Sequence, residues 1–351
     1  MEYRQLGRSG LRVSILTLGT MGFGGTGRTS PVGQIGVDGA REQIAMARDA
    51  GVNLIDTADV YSNGLSEEIL GEALGSDRAD VLIATKCRLP MGDANGPNDF
   101  GLSRHHIVRS AEGSLRRLGT DYIDLYQVHE WDGQTPLDET LSALDSLVQS
   151  GKVRYIGCSN YAAWQLMKAI GISEREHLQR FVSQQVFYSL QNRDIESEIV
   201  PACIDQGLGI LVWSPLAGGL LTGKYRRGVE PPPGSRHLSS WNEPPVNDQD
   251  KLYDTIDVAM EIGQEQGFSA AQVSLAYLIA RPAVTSLILG ARTTEQLQHN
   301  LAAATMELSA EEIKRLDDVS GEPLRYPFWH HAKTATDRLS PADLSLIGRY
   351  M

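Results

Sequence analysis

Four residues able to move protons or hold charge close or follow apolar runs at separate points of the chain. The run Leu54-Ile55-Asp56 continues into Thr57-Ala58-Asp59-Val60-Tyr61, Thr85-Lys86 ends a later run, and Val128-His129 ends another. Taken alone, Tyr61 reads as a loop aromatic and His129 as a core histidine. A lysine ending an apolar strand is less easily dismissed, because an unpaired buried ammonium is costly. It needs a counter-charge, for which Asp56, ending the preceding run, is a candidate and Asp59 an alternative. A tyrosine is a poor acid near neutrality, with a free pKa of about 10. A neighbouring cation favours the tyrosinate, which lowers that pKa and eases proton donation. Other run ends are also polar or aromatic: Cys158-Ser159-Asn160, Gln184-Gln185, Trp213-Ser214-Pro215 and Gly290-Ala291-Arg292. A purely structural core has no reason to deliver such groups to one face.

The elements that must carry these residues alternate. Short β-rich runs begin near Ile15, Val52, Val81, Ile123, Val153, Phe181, Leu208 and Thr285, with helical periodicity between most of them. Ser103 can cap a helix with apolar positions Ile107, Ala111, Leu115 and Leu118, which stops at Gly119. Leu137, Leu141, Leu144 and Val148 repeat the pattern, and Thr293 opens a helix after the last run. The strand runs are apolar with little alternation, as sheets buried on both faces require. The expected fold is an α/β (β/α)8 TIM barrel in one domain, residues 1–351. A β-hairpin (1–14, turn Gly7-Arg8-Ser9-Gly10) precedes it, and long loops stand at the C-terminal face, where barrels carry their functional residues. The proline-rich segment 226–248 resembles a linker in composition. The strand needed to close the barrel lies beyond it, so it is expected to be a lid-like loop. Residues 321–351 form a C-terminal tail.

These motifs resemble the aldo-keto reductase family, in its long-loop bacterial and potassium-channel-β-subunit branch. Asp56-Thr57-Ala58-Asp59-Val60-Tyr61, Lys86 and His129 match its catalytic tetrad in order, and the resemblance favours Asp56 over Asp59. The block from Trp213 to Lys224 is similar to its pyrophosphate loop. The resemblance spans about Tyr3 to Asn300. It implies reduction of an aldehyde or ketone, which needs a hydride to carbon and a proton to oxygen. The hydride comes from NADPH, the cofactor carrying the redox chemistry. Tyr61 would donate the proton, Lys86 tune it, Asp56 hold Lys86, and His129 orient the carbonyl. Cofactor contacts are implied at Thr20, Met21, Asp56, Ser159, Asn160, Gln185, Trp213, Ser214, Leu216, Gly218, Lys224, Gly290, Arg292, Gln296 and Asn300. His299 departs from the pattern, standing where relatives usually carry glutamate. Phe23, Trp131, Trp241, Tyr326, Phe328 and Trp329 are expected at the substrate pocket. The rival reading is a redox-sensing subunit on the same fold.

Composition excludes other classes. A hydrophobic share of 41% and a charged share of 22% are those of an ordinary globular protein. A net charge of −12 argues against a nucleic-acid surface. No apolar run reaches the length of a membrane span and no signal-peptide core opens the chain, so a cytoplasmic, membrane-free protein is expected. Three scattered cysteines build no disulfide framework. Gly22-Phe23-Gly24-Gly25-Thr26-Gly27 fits a dinucleotide fingerprint, but Pro31, Gly33, Gly36 and Gly39 forbid the helix it requires. The adjacent pairs His105-His106 and His330-His331 cannot face one metal, and none is expected.

Overall fold

The computed structural model describes residues 1–93, 96–238 and 243–351. A two-stranded antiparallel hairpin, β1 (Tyr3–Gln5) and β2 (Arg12–Ser14), precedes eight strands closed into a barrel. These are β3 (Leu16–Gly19), β4 (Leu54–Asp56), β5 (Leu82–Cys87), β6 (Ile123–Val128), β7 (Val153–Ser159), β8 (Ser183–Phe187), β9 (Gly209–Trp213) and β10 (Val284–Leu289). Neighbours pair in parallel all the way round, and β10 closes on β3 through Leu287 opposite Leu16. The barrel is thus the (β/α)8 fold expected, and the proline-rich segment lies inside it, between β9 and the strand that completes the closure.

The outer ring comprises α1 (Val37–Asp49), α2 (Leu65–Leu74), α3 (Arg104–Leu118), α4 (Leu137–Gln149), α5 (Ala163–Arg175), α6 (Ile199–Gln206), α7 (Gln249–Gln266), α8 (Ala270–Ile279) and α9 (Thr294–Leu301). The helix α10 (Ala310–Ser320) follows, and the tail adds α11 (Phe328–Thr334) and α12 (Pro341–Ile347). Local chemistry sets the ends. The Ser103 hydroxyl accepts the His106 N–H at the start of α3, which stops at Gly119 in the left-handed region. Thr293 likewise accepts the Gln296 N–H at the start of α9. No helix among the described residues is long and apolar enough to cross a membrane.

Strand parity explains where the polar groups go. Successive strand residues face opposite sides. Leu54, Ala84, Leu125 and Leu211 point inward and pack together with Leu6 and Val13 of the hairpin, so an apolar plug fills the lower barrel. Ile55, Ile83, Tyr126 and Val212 point outward into the main core between strands and helices. The next inward position above the plug is Asp56 on β4, Lys86 on β5 and Gln127 on β6. A polar layer therefore sits on an apolar floor.

Candidate active site

Lys86 is fully buried, and its ammonium donates to Asp56 Oδ1 at 2.6 Å and to the Thr57 carbonyl at 2.8 Å. Asp56 Oδ2 accepts the Gln185 amide at 2.8 Å and the Gln127 amide at 3.4 Å. The carboxylate thus has a cation on one oxygen and neutral donors on the other. Burial by itself lowers the Lys86 pKa, but Asp56 and Tyr61 outweigh it and hold the pKa above the usual lysine value. Lys86 is the stable cation of the site.

The Tyr61 ring stands with its centroid 5.1 Å from Lys86 Nζ and 5.9 Å from the His129 ring, edge-on to the latter. Tyr61 opens a 3-10 turn, Tyr61–Gly64, that leads into α2. Its pKa departs from the expectation. Burial raises it, and Lys86 pulls it down without fully offsetting the burial, so the phenol titrates above its ordinary range. Lys86 limits the rise rather than producing a net depression. A phenol of this kind stays protonated at neutral pH.

The ambiguity between Asp56 and Asp59 is resolved by pairing beyond the formal strand. Thr57 N–H donates to the Ala84 carbonyl and Asp59 N–H to the Lys86 carbonyl, so the chain continues alongside β5. Three residues on from Asp56, Asp59 faces outward. It is completely buried near Glu67, and burial followed by the Glu67 charge lifts its pKa far above the carboxylate range. Glu67 is itself clamped by Arg117 Nε at 2.7 Å and Thr85 Oγ1 at 2.5 Å. Gly64 matters to this clamp: a Cβ there would lie 2.8 Å from the Arg117 shaft, and its φ of +93° suits only glycine.

One side of the barrel mouth brings together Asn160, Trp213, a glycine-rich turn and several cations. Trp213 Nε1 donates to Asn160 Oδ1 at 3.0 Å, and Asn160 Nδ2 donates to the His129 carbonyl at 3.1 Å. Ser159 Oγ is buried and makes no hydrogen bond among the described residues. After Trp213 the chain turns through Ser214, Ala217, Gly218 and Gly219, all at positive φ, and Leu216 lies within this turn. A Cβ on Gly219 would approach Lys224 Nζ to 3.3 Å, so the lysine lies close over the turn. Burial, then Arg292 and Arg236, lower the Lys224 pKa, and burial followed by Arg292 lowers that of Arg236. These mutually repelling cations near the glycine turn suit a polyanion. The Arg292 guanidinium donates to the carbonyls of Gly234 (2.9 Å), Pro31 (3.1 Å) and Val32 (3.2 Å), bridging two loops. Gln296 Oε1 accepts the Arg292 N–H at 3.0 Å, Asn300 lies one turn further along α9, and Gly290 directly follows β10, with open space where a Cβ would stand.

Other expected contacts fall elsewhere. Thr20 is buried, with its hydroxyl on the Asp56 carbonyl and on Ser66, so it braces β4 rather than lining the mouth. Met21, next to it, is partly accessible. The Gln185 amide nitrogen is committed to Asp56. Phe23 is fully buried against Ala40 and Ile69. Trp131 packs edge-on to Tyr161 and Trp164. In the tail, Tyr326 and Trp329 are 74% and 45% exposed with their rings 6.1 Å apart, and Phe328 contacts His331. The tail packs through α12 on α6, and Arg349 reaches Glu196 at 3.2 Å. Trp241 lies outside the described residues. Sequence reasoning missed Gln127 and Arg236. Gln127 was detectable as a polar residue two positions beyond inward Leu125 in the same strand.

The parallel barrel thus carries a buried Asp–Lys pair with a tyrosine and a histidine beside it at the C-terminal ends of its strands. The chain belongs to the aldo/keto reductase family, whose model matches residues 15–320. It is 41% identical over 332 residues to an uncharacterized oxidoreductase, YrpG, of Bacillus subtilis, covering 92% of this chain and 97% of that protein. It is 39% identical over 311 residues to a probable voltage-gated potassium channel subunit beta of Oryza sativa, covering 86% and 91%. It is 36% identical over 340 residues to a versiconal hemiacetal acetate reductase of Aspergillus parasiticus, covering 91% and 96%.

Proposed function

We propose that this protein reduces an aldehyde or ketone to an alcohol with NADPH, and that Tyr61 supplies the proton. The observation that carries the reading is the buried Asp56–Lys86 pair, with the Tyr61 ring 5.1 Å from the ammonium and 5.9 Å from the His129 ring. Residues from Asn160 to Arg292 would hold NADPH, which would supply the hydride when bound. The chain's own residues do the rest. Asp56, with Gln185 and Gln127 behind it, fixes the Lys86 ammonium. Lys86 stabilises the tyrosinate formed as the Tyr61 proton leaves for the carbonyl oxygen. His129 orients that oxygen beside the phenol. The buried Ser159 hydroxyl and Asn160 suit the nicotinamide amide, and Lys224, Arg236 and Arg292 suit the phosphates. Turnover of model aldehydes with NADPH and NADH tests the reading. Its rival, a redox-sensing subunit with little turnover, draws support from the channel-subunit relative, and tight NADPH binding without turnover would favour it.

Arg292 is the proposed reader of the 2′-phosphate, since a guanidinium beside a helix start suits bidentate phosphate contact. A charge-assisted hydrogen bond is worth about 1.5–3 kcal/mol, so Arg292→Ala weakens NADPH about tenfold to a hundredfold. NADH, without that phosphate, loses only what the bridge between the two loops contributes. Dissociation constants of both cofactors for both proteins measure the difference, and equal weakening would remove Arg292 as the reader.

The tail acts on the pocket at one remove in this reading. Through α12 and Arg349 it braces α6 and Glu196, which follow β8. Truncation after Leu324 is expected to raise KM for bulky carbonyl substrates more than it changes NADPH affinity. Unchanged KM across several carbonyl substrates would remove the tail from substrate recognition.

A further inference from the structure

The residue after Tyr61 carries more hydrogen bonds than a turn requires. Ser62 is 3% exposed and sits at φ +50°, followed by Asn63 at +57°, so two successive non-glycine residues occupy the left-handed region. Its hydroxyl donates to the Phe23 carbonyl at 2.9 Å and accepts the N–H of Gly25 at 3.0 Å and of Thr26 at 3.4 Å. Ser62 N–H donates to Thr29 Oγ1 at 3.0 Å, and the Ser62 carbonyl accepts the Thr26 hydroxyl at 2.9 Å. Every polar group of Ser62 is therefore spent on the glycine-rich loop that follows β3. A backbone held in an uncommon region persists when its surroundings over-determine it, and such places cluster at functional sites.

That loop is tied at its other end as well. Gly24 N–H and Ile35 N–H bond back across it, to Ile35 and Gly22, making it a compact unit. Arg292 then grips its Pro31 and Val32 carbonyls while holding Gly234 of the proline-rich loop. The chain of contacts runs from the proposed phosphate wall, through this loop, to the residue next to the proposed proton donor. The Tyr61 N–H bond to Ala58 holds the near side of the turn, and the Ser62 hub holds the far side.

We propose that Ser62 is the positioning residue for the Tyr61 hydroxyl, fastening it to the glycine-rich loop that Arg292 secures on the cofactor side. The inference rests on Tyr61 being the proton donor. Misplacement of a reacting group by about 1 Å can cost two orders of magnitude in rate, so loss of the hub registers in turnover. A phenol drawn away from Lys86 also loses the charge that restrains its pKa.

The test uses the full chain with a model aldehyde and NADPH. Ser62→Ala removes the hydroxyl and keeps the backbone, Ser62→Gly also relieves the left-handed strain, and Thr29→Val removes the hydroxyl facing Ser62. Both Ser62 variants are expected to lower kcat about tenfold or more while leaving KM for NADPH within about twofold. The alkaline fall of kcat moves to higher pH. Thr29→Val acts in the same direction and combines with Ser62→Ala less than additively, because both cut one network. It also serves as the test should the Ser62 variants fail to fold. Wild-type kcat in Ser62→Ala and Thr29→Val, beside an inactive Tyr61→Phe, would overturn the positioning role and leave the proton donor intact. Full recovery in Ser62→Gly would overturn it too, reducing Ser62 to backbone strain. An active Tyr61→Phe would overturn both.

Discussion

Tyr61→Phe is expected to lower carbonyl reduction by about 10²–10⁴-fold, the usual contribution of a positioned general acid, while NADPH binds with nearly its original affinity. The substitution removes one oxygen and keeps the ring against His129 and beneath the mouth, so packing changes little. Steady-state reduction of a model aldehyde and fluorescence titration of NADPH separate the two effects. The pH dependence has a definite sign. Burial holds the phenol above its ordinary range, so the donor is loaded throughout the neutral region. Reduction falls only as pH rises through that elevated pKa, and alcohol oxidation, which needs the tyrosinate, rises over the same interval. A variant with near-wild-type turnover would remove Tyr61 from the mechanism.

Lys86→Met is expected to cost comparable activity and also stability. The methionine fills the space of the lysine stem but leaves the 2%-exposed Asp56 carboxylate facing only Gln185 and Gln127. Breaking a buried pair by removing one partner typically costs about 3–5 kcal/mol. The double variant Asp56→Asn/Lys86→Met removes both charges and is expected to regain most of that stability with none of the activity. Denaturant unfolding together with turnover distinguishes these contributions. An active single variant would show that the tyrosine needs no neighbouring cation.

The strands and a few helix ends were legible because parallel strands buried on both faces read as apolar runs, and because Ser103, Gly119 and Thr293 carry local capping chemistry that tertiary contacts do not override. The polar ends of those runs pointed to the mouth for the same reason. Asp56 and Asp59 could not be ranked from residues alone, since the ranking depends on the chain staying paired to β5 through Asp59. The direction of the Tyr61 pKa was missed because sequence shows the neighbouring cation but not the degree of burial. The burial of Phe23 was not legible, because Ala40 and Ile69, which cover it, come from two separate helices. Arg236 stood in a proline-rich stretch without periodicity, where only its nearness to Arg292 in space reveals the cationic cluster.

The alternation that sends Asp56 inward and Asp59 outward divides the chain into segments of unequal tolerance. Between Asp56 and Asp59 a one-residue insertion or deletion would exchange the faces of everything beyond it, since a side chain's face changes with every step. The outward acid would then meet the barrel axis and the hydroxyl of Thr57 or its neighbours would lose the Ser66 contact at 3.2 Å. Beyond β5, by contrast, the chain leaves the sheet, forms α3 and rejoins the sheet only at β6, and length between β5 and α3 carries no such parity. Insertions and deletions are therefore expected to be tolerated in the long connections, while the short stretch from β4 to the tyrosine needs a fixed count.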